Sequence, residues 1–410
     1  MRARDVRVAG CAAALLLAAA GCAKELTTVG TEPSARLTFV GISAAVFHSC
    51  GVVSKRAAYC WGLNSTAQLG NGDTTGISVS TPVAVSGGLG FVAVSAGDEY
   101  TCGLTAGGAA YCWGIDVNHT LGNGSMTGPQ RCAINPIRGW YLPCSSIPVA
   151  VSGGLTFMTV SAGDQHACGV TTGGAAYCWG LSQFGELGDG MVVGLVPSIT
   201  SSPRPVSGGL TFVTVSAGYG HTCGLTTDGA AYCWGWNAYG QLGDGVTTSS
   251  STPVAVSGGL TFAAVSAGFD HTCAVTTANA AYCWGHNDYG GKLGNGDTTS
   301  SSTPVAVSGG LTFAAVSAGN EHTCGVTIAG AAYCWGENGY GGLLGNGDTT
   351  SSSTPVAVSG GLTFAAVSLG MYHTCGVTTA SAAYCWGFNS YGELGNGSTA
   401  NSRTPARVGP

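Results

Sequence analysis

Hydrophobic residues in this chain come in short bursts separated by runs of Gly, Ser, Thr and Asn, with no sustained 3.6-residue period. In the clearest example the bursts fall at 262–266, 271–276, 280–284 and 304–307, each rich in Val, Thr, Phe, Tyr or Trp. That pattern predicts four short strands. Their apolar–polar alternation is incomplete, as expected when both faces of a sheet pack on neighbours. Pro304 opens the fourth burst, which suits an outer edge strand because proline has no N–H to give to a ladder.

The same four bursts recur along the chain. A phrase of the form Leu-Thr-Phe-x-x-Val-Ser-Ala-Gly, or a near variant, opens each unit at Leu37, Leu89, Leu155, Leu210, Leu260, Leu311 and Leu362. Successive starts lie 52, 66, 55, 50, 51 and 51 residues apart. Four strands per unit, repeated seven times with a period near fifty, predict an all-β seven-bladed propeller of four-stranded blades over 37–410. An open β-solenoid would have shorter repeats and distinct terminal caps, and here the first and last units look ordinary. An insertion at about 125–147 lengthens the second unit and is expected in an inter-strand loop. Residues Pro33 to Arg36 could add an outer strand beside Thr404 to Val408. The seven copies leave no room for a separate catalytic domain.

The segment before the repeats has another character. Arg2, Arg4 and Arg7 precede an apolar run ending in Ala19-Ala20-Gly21-Cys22. The run is too short for a bilayer core of ~30 Å but suits a signal peptide. Small residues before a cysteine resemble the lipobox of bacterial lipoproteins, which implies a signal peptide over 1–21 and a lipid on Cys22. Residues 22–36 then form a flexible tether. The expected location is a bacterial cell envelope, periplasmic or surface-facing, with membrane contact through the lipid anchor only.

Composition narrows the function. Charged residues make up 8% of the chain, and the net charge is −6. A nucleic-acid binder needs clustered Lys and Arg, so that class is excluded. The chain is also not disordered, since 45% of it is hydrophobic.

Each unit carries His-Thr-Cys-Gly or a variant, followed by Ala-Tyr-Cys-Trp-Gly. His221 to Thr226, Asp228-Gly229, Tyr232 to Gly235 and Asn237 to Gly243 together closely resemble the regulator of chromosome condensation repeat. The resemblance implies a seven-bladed propeller across 37–410 and is far less specific for function. Known relatives include a guanine-nucleotide exchange factor for a nuclear GTPase, and secreted β-lactamase inhibitor proteins share the architecture. A lipid-anchored envelope protein would not meet a nuclear GTPase, so exchange activity stands only as an alternative by resemblance.

Two cysteines ten positions apart recur in every unit: Cys50 and Cys60, Cys102 and Cys112, Cys168 and Cys178, Cys223 and Cys233, Cys273 and Cys283, Cys324 and Cys334, Cys375 and Cys385. A three-residue turn centred on Gly173 sets Cys168 opposite Cys178, with Gly169 facing Tyr177 and Val170 facing Ala176. Opposed residues in a non-hydrogen-bonded pair lie about 4.5 Å apart, within disulfide range. Export favours oxidation, so seven intra-blade disulfides are expected. Cys132 and Cys144 form an eighth pair inside the insertion. That excursion also carries Arg138, Trp140 and Tyr141, residue types that dominate binding hot spots.

Sites of function are sought where the copies disagree. Units five and six differ at eight positions, including Asp270/Glu321, His286/Glu337, Asp288/Gly339 and Lys292/Leu343. Around the ring, the pair before the His-Thr-Cys position supplies Phe47, Asp98, Glu99, Asp164, Tyr219, Phe269, Asp270, Glu321 and Tyr372. These aromatic and acidic residues are the candidate ligand-binding set. The recurrent histidines (His48, His166, His221, His271, His322 and His373, with Tyr100 in the second unit) are read as structural. The Leu-Gly-Asn-Gly-Asp runs are read as turns, because a calcium cage needs six to eight oxygens. No nucleophile–base pair stands out, and no catalytic residue, metal or cofactor is implied. The sequence therefore points to a monomeric, non-enzymatic scaffold that binds a protein or polysaccharide at the envelope. The alternative is a polysaccharide-active enzyme using Asp98, Glu99 and Asp164.

Overall fold

In the computed structural model, residues 36–135, 140–191, 197–288 and 290–409 are described. Cys22, the signal-peptide segment and Arg138 lie outside them. The strands form seven antiparallel sheets arranged as consecutive blades. Blades 1 to 7 span 39–84, 91–150, 157–205, 212–255, 262–306, 313–357 and 364–407. Six sheets have four strands in sequence order from inner to outer, and blade 2 has five. This is the all-β seven-bladed propeller that the repeat period predicts. Among the described residues no helix is long and apolar enough to cross a membrane.

Blade registers follow from the turn chemistry. In blade 3, Cys168 faces Cys178, Gly169 faces Tyr177 and Val170 faces Ala176, with the tight turn closing at Gly174 (φ 83°). All seven repeat cysteine pairs are disulfide-bonded with Cα atoms 4.0–4.1 Å apart, and every one of these cysteines is fully buried. Cys132–Cys144 is bonded too, at a Cα separation of 5.9 Å.

Two local expectations change. The outer strand of blade 5 is Ser301–Ala306, so Pro304 sits within it rather than at its start. The ladder skips from Cys283↔Val305 to Gly285↔Ser301, and this irregularity on an edge strand absorbs the missing N–H. The insertion is not a plain loop. Gln130–Asn135 pairs with Trp140–Ala150 and adds a fifth strand outside blade 2.

Blades hold one another by a repeated set of contacts. Seven fully buried tryptophans each donate the indole N–H to a carbonyl of the preceding blade, as Trp284 does to Gln241 (2.9 Å). The glycine of the Leu-Gly pair lies flat against that indole. A Cβ on Gly243, whose φ is 73°, would come within 2.6 Å of Trp284 Nε1. The inner-strand serine accepts a hydrogen bond from the next blade's backbone, as Ser216 does from Ala267 N (3.0 Å). The same contacts shut the ring: Trp61 donates to Glu393 O (2.7 Å), and Ala44 N donates to Ser368 Oγ (3.0 Å). Blade 7 is completed by its own outer strand, Ser402–Arg407. Arg36 is not in a strand, and the rest of the Pro33 to Arg36 segment lies outside the described residues.

Candidate functional site

The histidine ring belongs to the same interlocking system. His48 Nε2 lies 2.8 Å from Thr101 Oγ1, and the hydroxyl of Thr101 donates onward to Gln68 O. His166, His221, His271 and His322 repeat the arrangement on Thr222, Thr272, Thr323 and Thr374, and His373 uses Ser49. Since each hydroxyl proton is committed to a carbonyl, the imidazole donates from Nε2 to the hydroxyl oxygen. Burial pushes these histidines down to about 3 or 4, and His271 well below its ordinary value, with Lys292 adding to the effect there. They are inter-blade latches. Among the described residues, no group of three His, Cys, Asp or Glu is placed to hold a metal.

One face of the disk collects the variable loops. The first residue of each rim pair, Val46, Asp98, Asp164, Tyr219, Phe269, Asn320 and Met371, lines an axial cavity of about 120 Å³. Phe47, Glu99, Asp270, Glu321 and Tyr372 each follow by one residue in the same loops.

Two aromatic arcs lie among these loops. In one, Tyr219 stacks on Phe269 with centroids 3.9 Å apart, and Trp236 contacts Tyr219, Phe184 and Tyr239. Tyr239 stacks in turn on His286 at 4.0 Å. In the other arc, Phe47 meets Tyr372, Phe388 and Tyr391, and Tyr372 meets Tyr340. Tyr239, Tyr340 and Tyr391 remain exposed. Phe184, Trp236, Tyr239, Tyr340, Phe388 and Tyr391 were not singled out from sequence. Their signal was the second variable segment, just after Trp-Gly, read residue by residue.

Between the arcs, blades 2 and 3 present carboxylates. Burial pushes Asp98 up to about 7, with the charges of Asp164 and Glu99 acting in the same direction. Asp164 is raised to about 6 by burial, against a hydrogen bond from Gln165, and Glu99 is raised by burial.

Asp270 and Glu321, by contrast, are engaged inside the molecule. Lys292 is fully buried, and its Nζ lies 2.7 Å from Asp270 Oδ1 and 3.0 Å from Glu321 Oε2. His286 Nδ1 lies 2.7 Å from Asp270 Oδ2 and its Nε2 3.1 Å from Asp288. Four of the eight differences between units five and six therefore belong to one charged network centred on the buried Lys292 rather than to independent positions.

Tyr141 is exposed on the added hairpin of blade 2, and Trp140 lies on the same strand.

Family models match these elements across the chain. An RCC1-like domain model covers 143–409, and regulator of chromosome condensation (RCC1) repeat models cover 57–104 and 91–120. The chain belongs to the RCC1-like domain family. Among its relatives, the ultraviolet-B receptor UVR8 of Arabidopsis thaliana is 30% identical over 90% of this chain and 69% of the receptor. The human E3 ubiquitin-protein ligase HERC2 is 28% identical over 85% of this chain, which spans only 7% of that ligase. Among solved structures, human WBSCR16 superposes with a TM-score of 0.74 at 19% identity, covering 86% of this chain and 94% of its own. Yeast RCC1 (Prp20), solved bound to Kap60, gives 0.72 at 19% identity, covering 91% and 85%. These structural likenesses establish the RCC1-like propeller fold and no more.

Proposed function

We propose that this RCC1-like propeller is a non-enzymatic binding scaffold, held at a bacterial cell envelope by a lipid on Cys22, that presents its rim face to a protein partner. The observation that carries the reading is the gathering of rim residues from all seven blades around one axial mouth, with two aromatic arcs beside it whose Tyr239, Tyr340 and Tyr391 are exposed. Large aromatic rings with polar edges supply contact area at low entropic cost. The opposite ends of the blades carry Gly-rich turns with few such residues. Relatives support a binding role, since yeast RCC1 (Prp20) was solved in complex with Kap60 and another Prp20 structure was described with its binding to Gsp1p and histones.

The test is site-specific photo-crosslinking in the native envelope from Tyr239 and Tyr340 on the rim face and from Asn279 on the opposite face. A partner captured from the rim positions alone supports the reading, and equal capture from both faces contradicts it.

A polysaccharide partner is favoured by the exposed tyrosines, whose rings can stack on sugar faces. A catalytic version of that reading would use Asp98 and Asp164, two raised carboxyls at the axial mouth. Turnover of a glycan panel by purified protein, abolished in Asp98→Asn, would establish it in place of the scaffold.

A further inference from the structure

In blades 4 to 7 the residue two places after the Trp-Gly pair is Asn237, Asn287, Asn338 or Asn389, and each is fully buried. Its Oδ1 accepts the backbone N–H of Leu242, Leu293, Leu344 or Leu394. Its Nδ2 donates into the loop that follows. Asn389 Nδ2 donates to Ser398 O (3.0 Å) and Ala400 O (2.8 Å). Around Asn338 Nδ2 stand Asn346 Oδ1, Asp348 O, Asp348 Oδ1 and Thr350 O, at 3.1–3.3 Å. The loop is wound so that its oxygens converge on one donor.

Blade 2 keeps the loop and loses the donor. Its residue is Asp116, 1% exposed, whose Oδ1 accepts Leu121 N at 3.2 Å as the asparagines do. Asp116 precedes Asn123, Ser125 and Thr127 by 7, 9 and 11 residues, the spacing of Asn389 from Asn396, Ser398 and Ala400. The two loops also match bond for bond. Ser125 N donates to Asn123 Oδ1 and Thr127 N to Ser125 Oγ, as Ser398 N does to Asn396 Oδ1 and Ala400 N to Ser398 Oγ. Gly124 N and Gly397 N each reach the next blade's outer strand, at Ser201 O and Ser80 O. The φ angles agree too, 62° and 79° at Gly122 and Gly124 against 65° and 79° at Gly395 and Gly397.

With Oδ1 fixed on Leu121 and the loop unchanged, Asp116 Oδ2 takes the place of the amide nitrogen and faces the loop carbonyls. It is buried and has no hydrogen-bond partner. Among the described residues no Lys, Arg or His forms an ion pair with Asp116. Oxygen set against oxygen without a positive charge between them is costly in a buried place. Burial pushes this carboxyl up, against the Leu121 N–H and His119. A proton on Oδ2 would serve a single carbonyl, whereas a cation serves every oxygen around it. Thr127 O also accepts the Ser125 hydroxyl, and its second lone pair is left for such an ion.

We propose that Asp116 and the loop 123–127 form a calcium site, with Asp116 Oδ2, Ser125 O, Thr127 O and Asn123 Oδ1 as protein ligands and water completing the shell. An all-oxygen set with one carboxylate suits a hard cation, and the low ligand charge places its affinity in the range of about 10⁻⁴–10⁻³ M known for extracellular modules. The site lies at the root of the added hairpin. Asp116 N donates to Pro143 O at 2.8 Å, and residue 127 leads directly into Gln130–Asn135. The ion therefore braces the strand pair that carries Cys132–Cys144 and the exposed Tyr141. This inference is independent of the rim-face reading.

The test is calorimetric titration of the purified, chelator-treated protein with calcium chloride, together with thermal unfolding. One equivalent should bind, and about 10 mM calcium should raise Tm by about 2 °C or more. Asp116→Asn should abolish both effects and raise the Tm of the metal-free protein, since the amide restores the missing donor. Asparagine stands at this position in five other blades, so the variant is expected to fold. Asp228→Asn, on an exposed turn of blade 4, should leave binding unchanged. Magnesium, which demands near-ideal octahedral geometry, should bind about tenfold more weakly or worse. No calcium bound at about 10 mM, an equivalent retained in Asp116→Asn, equal loss in Asp228→Asn, or equal affinity for magnesium would overturn the proposal. So would a calcium-independent fall in Tm from about pH 5 to about pH 8 that Asp116→Asn removes, which would assign a proton to Oδ2 instead.

Discussion

The phenol of Tyr100 donates a hydrogen bond to the carbonyl of His166 at 2.6 Å, across the one blade junction where the next blade offers no hydroxyl. Elsewhere a histidine meets the Thr or Ser of the following blade, but blade 3 carries Ala167 there. Tyr100 and Ala167 are thus a matched exchange, with the longer side chain reaching past the missing hydroxyl to a backbone acceptor.

Breaking this match should be costly and mending it should be selective. Tyr100→His alone would bury an imidazole without its acceptor and leave a void, an expected loss of about 1–3 kcal/mol. Adding Ala167→Thr should recover at least about 1 kcal/mol through the restored pair. Denaturant unfolding of the two single variants and the double variant measures the coupling, and strict additivity would contradict the pairing.

Buried carboxyls set an alkaline limit on stability. Glu393 is fully buried, its Oε1 has no hydrogen-bond partner, and burial pushes it up to about 7. A group whose folded value is raised binds more protons folded than unfolded. Its contribution is therefore fully present below about 4.5 and is lost as pH rises through about 7. Glu393→Gln, which copies Gln68 and Gln241, should raise Tm at pH 8 and give little gain at pH 5.

The histidine latches act in the opposite direction. Their folded values lie at about 3–4 against an ordinary 6.5, so below 6.5 the unfolded chain takes up protons that the folded chain refuses. Stability should be fully present above about 6.5 and fall steadily as pH drops towards 3. Tm measured from pH 7 to 4 should show this fall, and replacing His48 with Gln should flatten it.

Removing the buried cation should expose the cost of its partners. Lys292→Met leaves Asp270 and Glu321 facing each other without a positive charge, an expected loss of about 3–5 kcal/mol. Thermal unfolding should report it as a drop of several degrees.

The Trp–Gly contact should tolerate no side chain. Gly243→Ala combines a left-handed backbone with a Cβ pressed on Trp284, an expected loss of roughly 2–5 kcal/mol. Gly258→Ala has the same sign of φ but open space around it, so it should cost only the backbone part. The difference between the two variants in chemical denaturation isolates the packing term.

Much of the ring was legible in the chain because each repeated residue answers a local or nearest-neighbour demand. The turn at Gly174 fixes the register that unites Cys168 with Cys178, and that register follows from turn length alone. The rim pairs were legible as places of variation, yet variation did not reveal which residues face a ligand. Asp270 is bonded to His286 and Lys292, 16 and 22 residues further along the chain, a relationship that comparison of the copies does not display. Glu186 and Glu393 were missed because a carboxylate between two apolar-looking phrases reads as a turn residue until the neighbouring blade is laid over it.

Taken alone, the sequence determined the number of blades, the four repeated strands of each and the pairing of the cysteines, but not the fifth strand of blade 2, because the repeated features depend on hydrophobic periodicity and turn geometry over a few tens of residues. Only the tertiary structure decided what lies between blades. It set Tyr100 against His166, buried Lys292 among carboxylates, gathered Tyr219 and Phe184 around Trp236, and shut blade 7 onto blade 1. The physical reason is distance along the chain. Burial and charge at a junction are set by residues from two repeats, and a linear pattern within either repeat does not contain the other.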